Sequence, residues 1–347
     1  ARTTVLLWAP PPQLGDESQP SPAAAWAGWG RQRYDAPNYV GATILKPHCA
    51  AITNRSCVFR SAVSASLSAL LSADAVVIEL QSFGRANADE YRRSALQLPE
   101  RLPQQRWVHF AYETPRYFPI IGEPLFVAQF ALNMTYDRTT SEVPVTFTCP
   151  WGGADDDEWL AVPDDVRGVL EGRSGARISR SERAVAAIIA SNCDRGGAEY
   201  RTAYLKELMQ YVKVDSYGKC LHNAELPKAM QAPIYADHGA SMLNKERVYA
   251  QYRFALAFEN SNTTDYVTEK LWNVYLSGAV PIYMGSSNIA EWQPAPNSLL
   301  DTSTFASPRA LAARLNALAA NDTAYAELHR WRTRRAFSRS FQQRRAQ

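Results

Sequence analysis

The stretch from Phe254 to Gly285, FALAFENSNTTDYVTEKLWNVYLSGAVPIYMG, sets an apolar strand, a polar turn, a helix and a second apolar strand in direct succession. Two apolar strands joined through a helix are the step from which parallel α/β sheets are built. The order puts Glu259, Asn260, Asn262, Tyr266, Glu269 and Lys270 at the carboxyl end of a strand or the start of a helix. There, α/β folds bind anionic or nucleotide ligands.

The same alternation runs through the rest of the chain. In the first half TTVLLW reads as a strand, SAVSASLSALLS as a helix, DAVVIEL as a strand and, after an arginine-rich segment, RWVHFAY as another strand. Turn formers then crowd the stretch from Tyr136 to about Arg173, which marks the end of a first domain. A second unit begins at RAVAAIIASNC and continues through helix EYRTAYLKELMQY, strand VKVDSYG, helix NKERVYAQY, the 254–285 segment and helix SPRALAARLNALAA. The expectation is two doubly wound domains, 1–165 and 166–330, facing a cleft, with a basic segment at 331–347. At 347 residues the chain exceeds the size at which one core keeps growing.

Composition narrows the function classes. A formal charge of +3 gives no whole-chain argument for a nucleic-acid partner. The tail from His329 holds seven arginines, but with no aromatic-basic repeat it reads as a helix that covers a domain surface or faces solvent. No apolar run reaches 18 residues, so no membrane span is expected here; any anchor would lie upstream of Ala1. Sequons at Asn54, Asn133, Asn262 and Asn321 allow glycosylation in a secretory compartment. The five cysteines show no CxxC spacing, which disfavours zinc and leaves one or two disulfides open, Cys49 with Cys57 being the easiest local pair.

Several residues suit a transfer reaction. Glu113 follows the strand of WVHFAYETP, where a carboxylate can take a proton from a hydroxyl; an exposed turn glutamate is the equal alternative. Ser191 and Asn192 end the strand AAIIASN, and Arg201 lies on the next helix, where its guanidinium can bind phosphate oxygens. Lys270 adds a cation in the first turn of the helix after YVTEK. The run Asp155, Asp156, Asp157 and Glu158 sits in a glycine-rich connection and reads as a solvated loop rather than a metal site. No GxGxxG, P-loop, G-x-S-x-G or HExxH pattern occurs.

AFENSNTTDYVTEKLWNVYLSGAVPIYMGSSNI resembles the donor-binding signature of the α1,3-fucosyltransferases, glycosyltransferase family 10. WVHFAYETP, LNMTYDRTTSEVPVTF, AAIIASNC and VKVDSYGKC resemble further segments of that family, in the same order, from about Arg106 to Pro296. The resemblance implies a GT-B fold, two Rossmann-like domains, transferring L-fucose from GDP-fucose with inversion. It assigns Arg201 and Lys270 to the diphosphate, Tyr266 and Glu269 to the ribose or fucose, and Glu259 and Asn260 to support of that site. Ser191, Asn192 and Tyr217 join the donor contacts, and Glu113 is the general base. No tightly bound cofactor and no metal are implied, although divalent ions could stimulate turnover. Thr114 stands where the family has serine, and TYDRTTSEVP departs from the usual segment. IASNC and VDSYGKC are closer to plant-type enzymes, which implies the core GlcNAc of N-glycans as acceptor and the Golgi lumen as location. Lewis-type transfer to N-acetyllactosamine, transfer to a protein hydroxyl, a pentose donor and a noncatalytic glycan-binding protein are the alternatives.

Overall fold

The computed structural model describes residues 2–8, 56–62, 72–79, 101–145, 147, 161–180, 184–226, 228, 238–334 and 337–345. Contacts divide the chain into two compact units, Ala1–Val145 and Thr146–Gln347. Cys49, Asn54 and the 155–158 acidic run lie outside the described residues.

Among the described residues the first unit carries five strands: β1 (Arg2–Trp8), β2 (Ser56–Ala62), β3 (Ala75–Glu79), β4 (Arg106–Ala111) and β5 (Leu132–Thr135). They lie in the order β2-β1-β3-β4-β5, every neighbouring pair parallel. The chain leaves β1 on one side for β2 and returns on the other for β3, which is double winding. On β4, Trp107, His109 and Ala111 alternate into the interior, as the two-residue period of a strand requires. Strands β2 and β5 go beyond the sequence expectation: β2 takes in Ser61 and Ala62, where a helical pattern begins.

The second unit repeats the plan with β6 (Ala186–Ile188), β7 (Val214–Ser216), β8 (Phe254–Phe258), β9 (Val280–Met284) and β10 (Leu300–Asp301). Their order is β10-β9-β8-β6-β7, again all parallel. Helices α1 (Glu199–Leu208), α2 (His238–Tyr249), α3 (Glu269–Ser277) and α4 (Pro308–Ala319) flank this sheet. Strand alternation divides the labour between its faces. Ile188, Val214, Phe254, Leu256, Phe258 and Ile282 pack with Leu205 and Leu208 of α1 and Leu311 and Leu315 of α4. Burial of each such side chain is worth roughly 1.5–3 kcal/mol. The opposite face carries Ala187, Ala255 and Ala257, small enough to seat Leu271, Trp272 and Tyr275 of α3.

Local signals fix the helix ends. Ser307 caps α4 by accepting from the Ala310 N–H, with Pro308 at the first position. Gly278 closes α3 at φ 73°, where a Cβ would also stand 2.6 Å from the Pro163 side chain. The basic tail forms α5 (Arg330–Arg334) and α6 (Arg339–Arg345). Arg332 is buried, donates to the Tyr275 carbonyl at 2.8 Å and lies 4.6 Å from the Trp331 ring centroid. This stretch therefore covers the domain.

Candidate active site

In the second sheet the chain moves from β6 outward to β7, then crosses back to β8 on the other side of β6. The order reverses between β6 and β8, and a crevice opens at the carboxyl ends of strands at such a reversal. Arg201, on the first turn of α1, bridges the end of β8 and the loop beyond β6. Its guanidinium donates to the Phe258 carbonyl and to the Asn192 carbonyl, each at 2.6 Å. The side chain is buried and its Nε has no partner among the described residues. Burial lowers its pKa, which the nearby Glu259 opposes.

Glu259, the first residue after β8, is fully buried. One carboxylate oxygen accepts from the Thr268 N–H at 2.8 Å and the other from the Thr268 hydroxyl at 2.7 Å. Thr268 is the cap of α3, so the carboxylate fastens the helix start to the end of β8. The Lys270 ammonium donates to the Thr268 hydroxyl at 3.0 Å and lies 3.3 Å from Glu269 and 3.5 Å from Glu259. Burial raises the Glu259 pKa, with Lys270 opposing it. Burial also pushes Glu269 up, but Lys270 and Lys245 more than reverse this and hold its pKa at about 2. One lysine thus serves two carboxylates in unlike surroundings. The Lys270 side chain keeps 27% exposure beside the first-turn N–H groups of α3, an arrangement suited to an anion.

The remaining expected residues have diverse settings. Ser191 and Asn192 lie in the loop beyond β6, which ends at Ile188 rather than at Asn192. The Ser191 hydroxyl accepts from the Lys219 N–H at 3.4 Å, and the Asn192 amide brackets Arg195 through two bonds. Asn260 is half-buried. Tyr266 is buried, edge-on to Phe147 at 6.5 Å. Tyr217 follows β7 and is half-buried. Glu113, two residues past β4, is half-buried in the first unit. Among the described residues no three His, Cys, Asp or Glu side chains group as a metal site, and no helix is long and apolar enough to cross a membrane.

The structure also adds residues to the site. Thr268 is one, signalled by a threonine just before a helical run. The Tyr249 hydroxyl accepts from the Ile189 N–H at 3.2 Å, and the Tyr200 hydroxyl donates to the Glu259 carbonyl at 3.2 Å. A disulfide joins Cys193 to Cys220, tying the loops after β6 and β7; spacing alone did not favour that pair. Gly218 lies so close to the β6 loop that a Cβ would stand 2.0 Å from the Ala190 carbonyl oxygen.

Comparison with known proteins agrees with this architecture. "GDP-fucose protein O-fucosyltransferase 3" of Xenopus laevis is 33% identical over 244 residues, 70% of this chain and 48% of the relative. The human protein of that name is 32% identical over 244 residues, 70% of this chain and 47% of its own length. "Alpha-(1,3)-fucosyltransferase B" of Drosophila melanogaster is 33% identical over 229 residues, 65% of this chain and 48% of the relative. The chain spans about half the length of the curated relatives it matches. A crystal structure of an α1,3-fucosyltransferase superposes with a TM-score of 0.52 at 16% identity, over 94% of this chain and 81% of that one, so the fold is GT-B-like. Residues 179–347 match the family described as "Glycosyltransferase family 10 (fucosyltransferase) C-term". It is through this carboxyl-terminal half that the chain is similar to glycosyltransferase family 10, the fucosyltransferases.

Proposed function

We propose that the chain transfers L-fucose from GDP-fucose, with inversion, to a hydroxyl group, and that this hydroxyl belongs to a protein side chain. The observation carrying the donor half is the Arg201–Glu259–Thr268–Lys270 network at the β6/β8 reversal. It holds two cations at strand ends and a helix start, where a leaving diphosphate needs its developing charge neutralised. The match of residues 179–347 to the fucosyltransferase family supports fucose as the sugar. The protein acceptor is supported by the names of the Xenopus and human relatives.

In this reaction the acceptor oxygen attacks the anomeric carbon from the face opposite GDP, the bond to the diphosphate oxygen breaks, and the acceptor proton passes to a base. Glu113 is the residue proposed for that step. Lys270 and Arg201 are proposed to stabilise the departing GDP, Glu259 and Thr268 to hold Lys270 in place, and Tyr266, Glu269, Asn260, Ser191, Asn192 and Tyr217 to complete the donor site. A secretory, Golgi-like lumen is the proposed setting, supported by the Cys193–Cys220 disulfide.

A second reading keeps the acceptor as a GlcNAc hydroxyl in α1,3 linkage, supported by the name of the Drosophila relative. The relatives named above are animal proteins, which gives the plant-type core acceptor no added support. Incubation with GDP-fucose and three acceptors separates these readings: unglycosylated secreted proteins, N-glycans with an accessible core GlcNAc, and N-acetyllactosamine. Fucose mapped by mass spectrometry to serine or threonine supports the proposal. Product on the glycans alone moves the activity to the second reading, and GDP binding without product on any acceptor favours a noncatalytic role.

A further inference from the structure

Tyr217 stands one residue beyond β7, and its N–H donates to the Ile188 carbonyl of β6 at 3.0 Å. It therefore lies at the same end of the sheet as Glu259 but on the far side of β6. Neighbouring strands are about 4.8 Å apart, so two strand spacings separate these positions by about 10 Å. That is the scale of a nucleoside extending from its phosphates.

The Tyr217 side chain is anchored from beneath. Its hydroxyl meets the Tyr252 hydroxyl at 2.5 Å, and the Tyr252 hydroxyl donates to Asp215 Oδ2 at 2.6 Å. Tyr252 has one hydroxyl proton and gives it to Asp215, so Tyr217 is the donor to Tyr252. Burial, reinforced by the bond to Asp215, raises the Tyr252 pKa and keeps that proton in place. Tyr252 and Asp215 are both buried, and the two tyrosine rings meet edge to face at 6.4 Å. The backbone beside the ring is equally fixed. Gly218 has no room for a side chain against Ala190, and the Cys220 N–H donates to the Ala190 carbonyl at 3.0 Å.

We infer that Tyr252 and Asp215 are positioning residues of the nucleotide site, holding the half-buried Tyr217 ring as a fixed wall against the nucleoside of the bound diphosphate. The inference rests on the donor reading above and adds to it residues that need touch neither phosphate nor sugar. Loss of the anchor lets the ring rotate, which weakens binding of a ligand that has a nucleoside and spares one that lacks it.

Calorimetric titration of GDP and of inorganic pyrophosphate into the wild type, Tyr217→Phe, Tyr252→Phe and the double variant tests this. Each single variant is expected to weaken GDP about fivefold, the size of one lost hydrogen bond. The double variant should be no weaker than either single, and pyrophosphate affinity should be unchanged. Independent, multiplicative losses, equal weakening of pyrophosphate, or unchanged GDP affinity in folded variants would overturn the inference while leaving the donor site intact. Absence of GDP binding by the wild type would instead overturn the donor reading, and this inference with it. Tyr217→Phe leaves the Tyr252–Asp215 bond in place, so the anchor is still tested if Tyr252→Phe does not fold.

Discussion

Lys270 carries its charge between Glu259 and Glu269, and the cost of disturbing each partner differs. Glu259 is fully buried and serves Thr268 twice. Glu259→Ala strands the Thr268 donors and a half-buried ammonium, and is expected to destabilise the second unit by about 3 kcal/mol, read by urea denaturation. Lys270→Ala leaves the buried Glu259 without its cation, so stability should fall as well; in the folded variant the proposed diphosphate contact predicts a higher GDP-fucose KM, and a lower kcat because the leaving-group charge grows in the transition state. Glu113→Gln replaces the proposed base with an amide of the same shape. Turnover should fall at least 100-fold while GDP affinity changes less than threefold, and undiminished turnover would remove the residue from this role.

At the scale of elements, two contacts carry the site: the capped start of α3 and the close packing of the β6 and β7 loops. Thr268→Val removes the cap and one bond to Glu259, and a loss of about 1–2 kcal/mol is expected in thermal unfolding. Gly218→Ala must push the loop after β7 off the Ala190 backbone. Reduced GDP affinity with little loss of global stability is the expected result, and an unchanged affinity would show that the loop has room to give. Strands β8 and β9 were legible because each is an apolar run of five followed by turn residues, and α3 because its apolar residues repeat at helical spacing. β6 and β7 are only three residues long. Their apolar sequences run past the paired residues, so Ser191 and Asn192 read as strand ends but lie in a loop. β5 and β10 are too short to show a period, and β2 shares Ser61 and Ala62 with an overlapping helical pattern. Single residues of the site were read from motif order; the Cys193–Cys220 pair and the Tyr217–Tyr252–Asp215 chain required the fold, because 27 to 37 residues separate their partners.

Across the whole molecule, two buried histidines make both units sensitive to acid. Burial lowers His109 in the first unit from its ordinary value of 6.5 to about 4, only partly offset by its bond to Asn133. Burial, with Arg332 nearby, lowers His329 in the second well below its ordinary value. Both are neutral when folded, whereas the unfolded chain takes up protons below about pH 6.5. Stability is therefore retained above that pH and falls as pH drops towards 4, His109 alone accounting for about 3 kcal/mol at the lower limit. Calorimetric scans from pH 7 to 4 should show this decline, and a flat Tm across that range would contradict the burial assigned to these rings. The most direct test of the functional account is GDP release from GDP-fucose in the presence of a secreted-protein acceptor, followed for the wild type, Lys270→Ala and Glu113→Gln. The account predicts acceptor-dependent release by the wild type and severe loss in both variants; release that survives in both, or a wild type that neither binds GDP nor releases it, would contradict it.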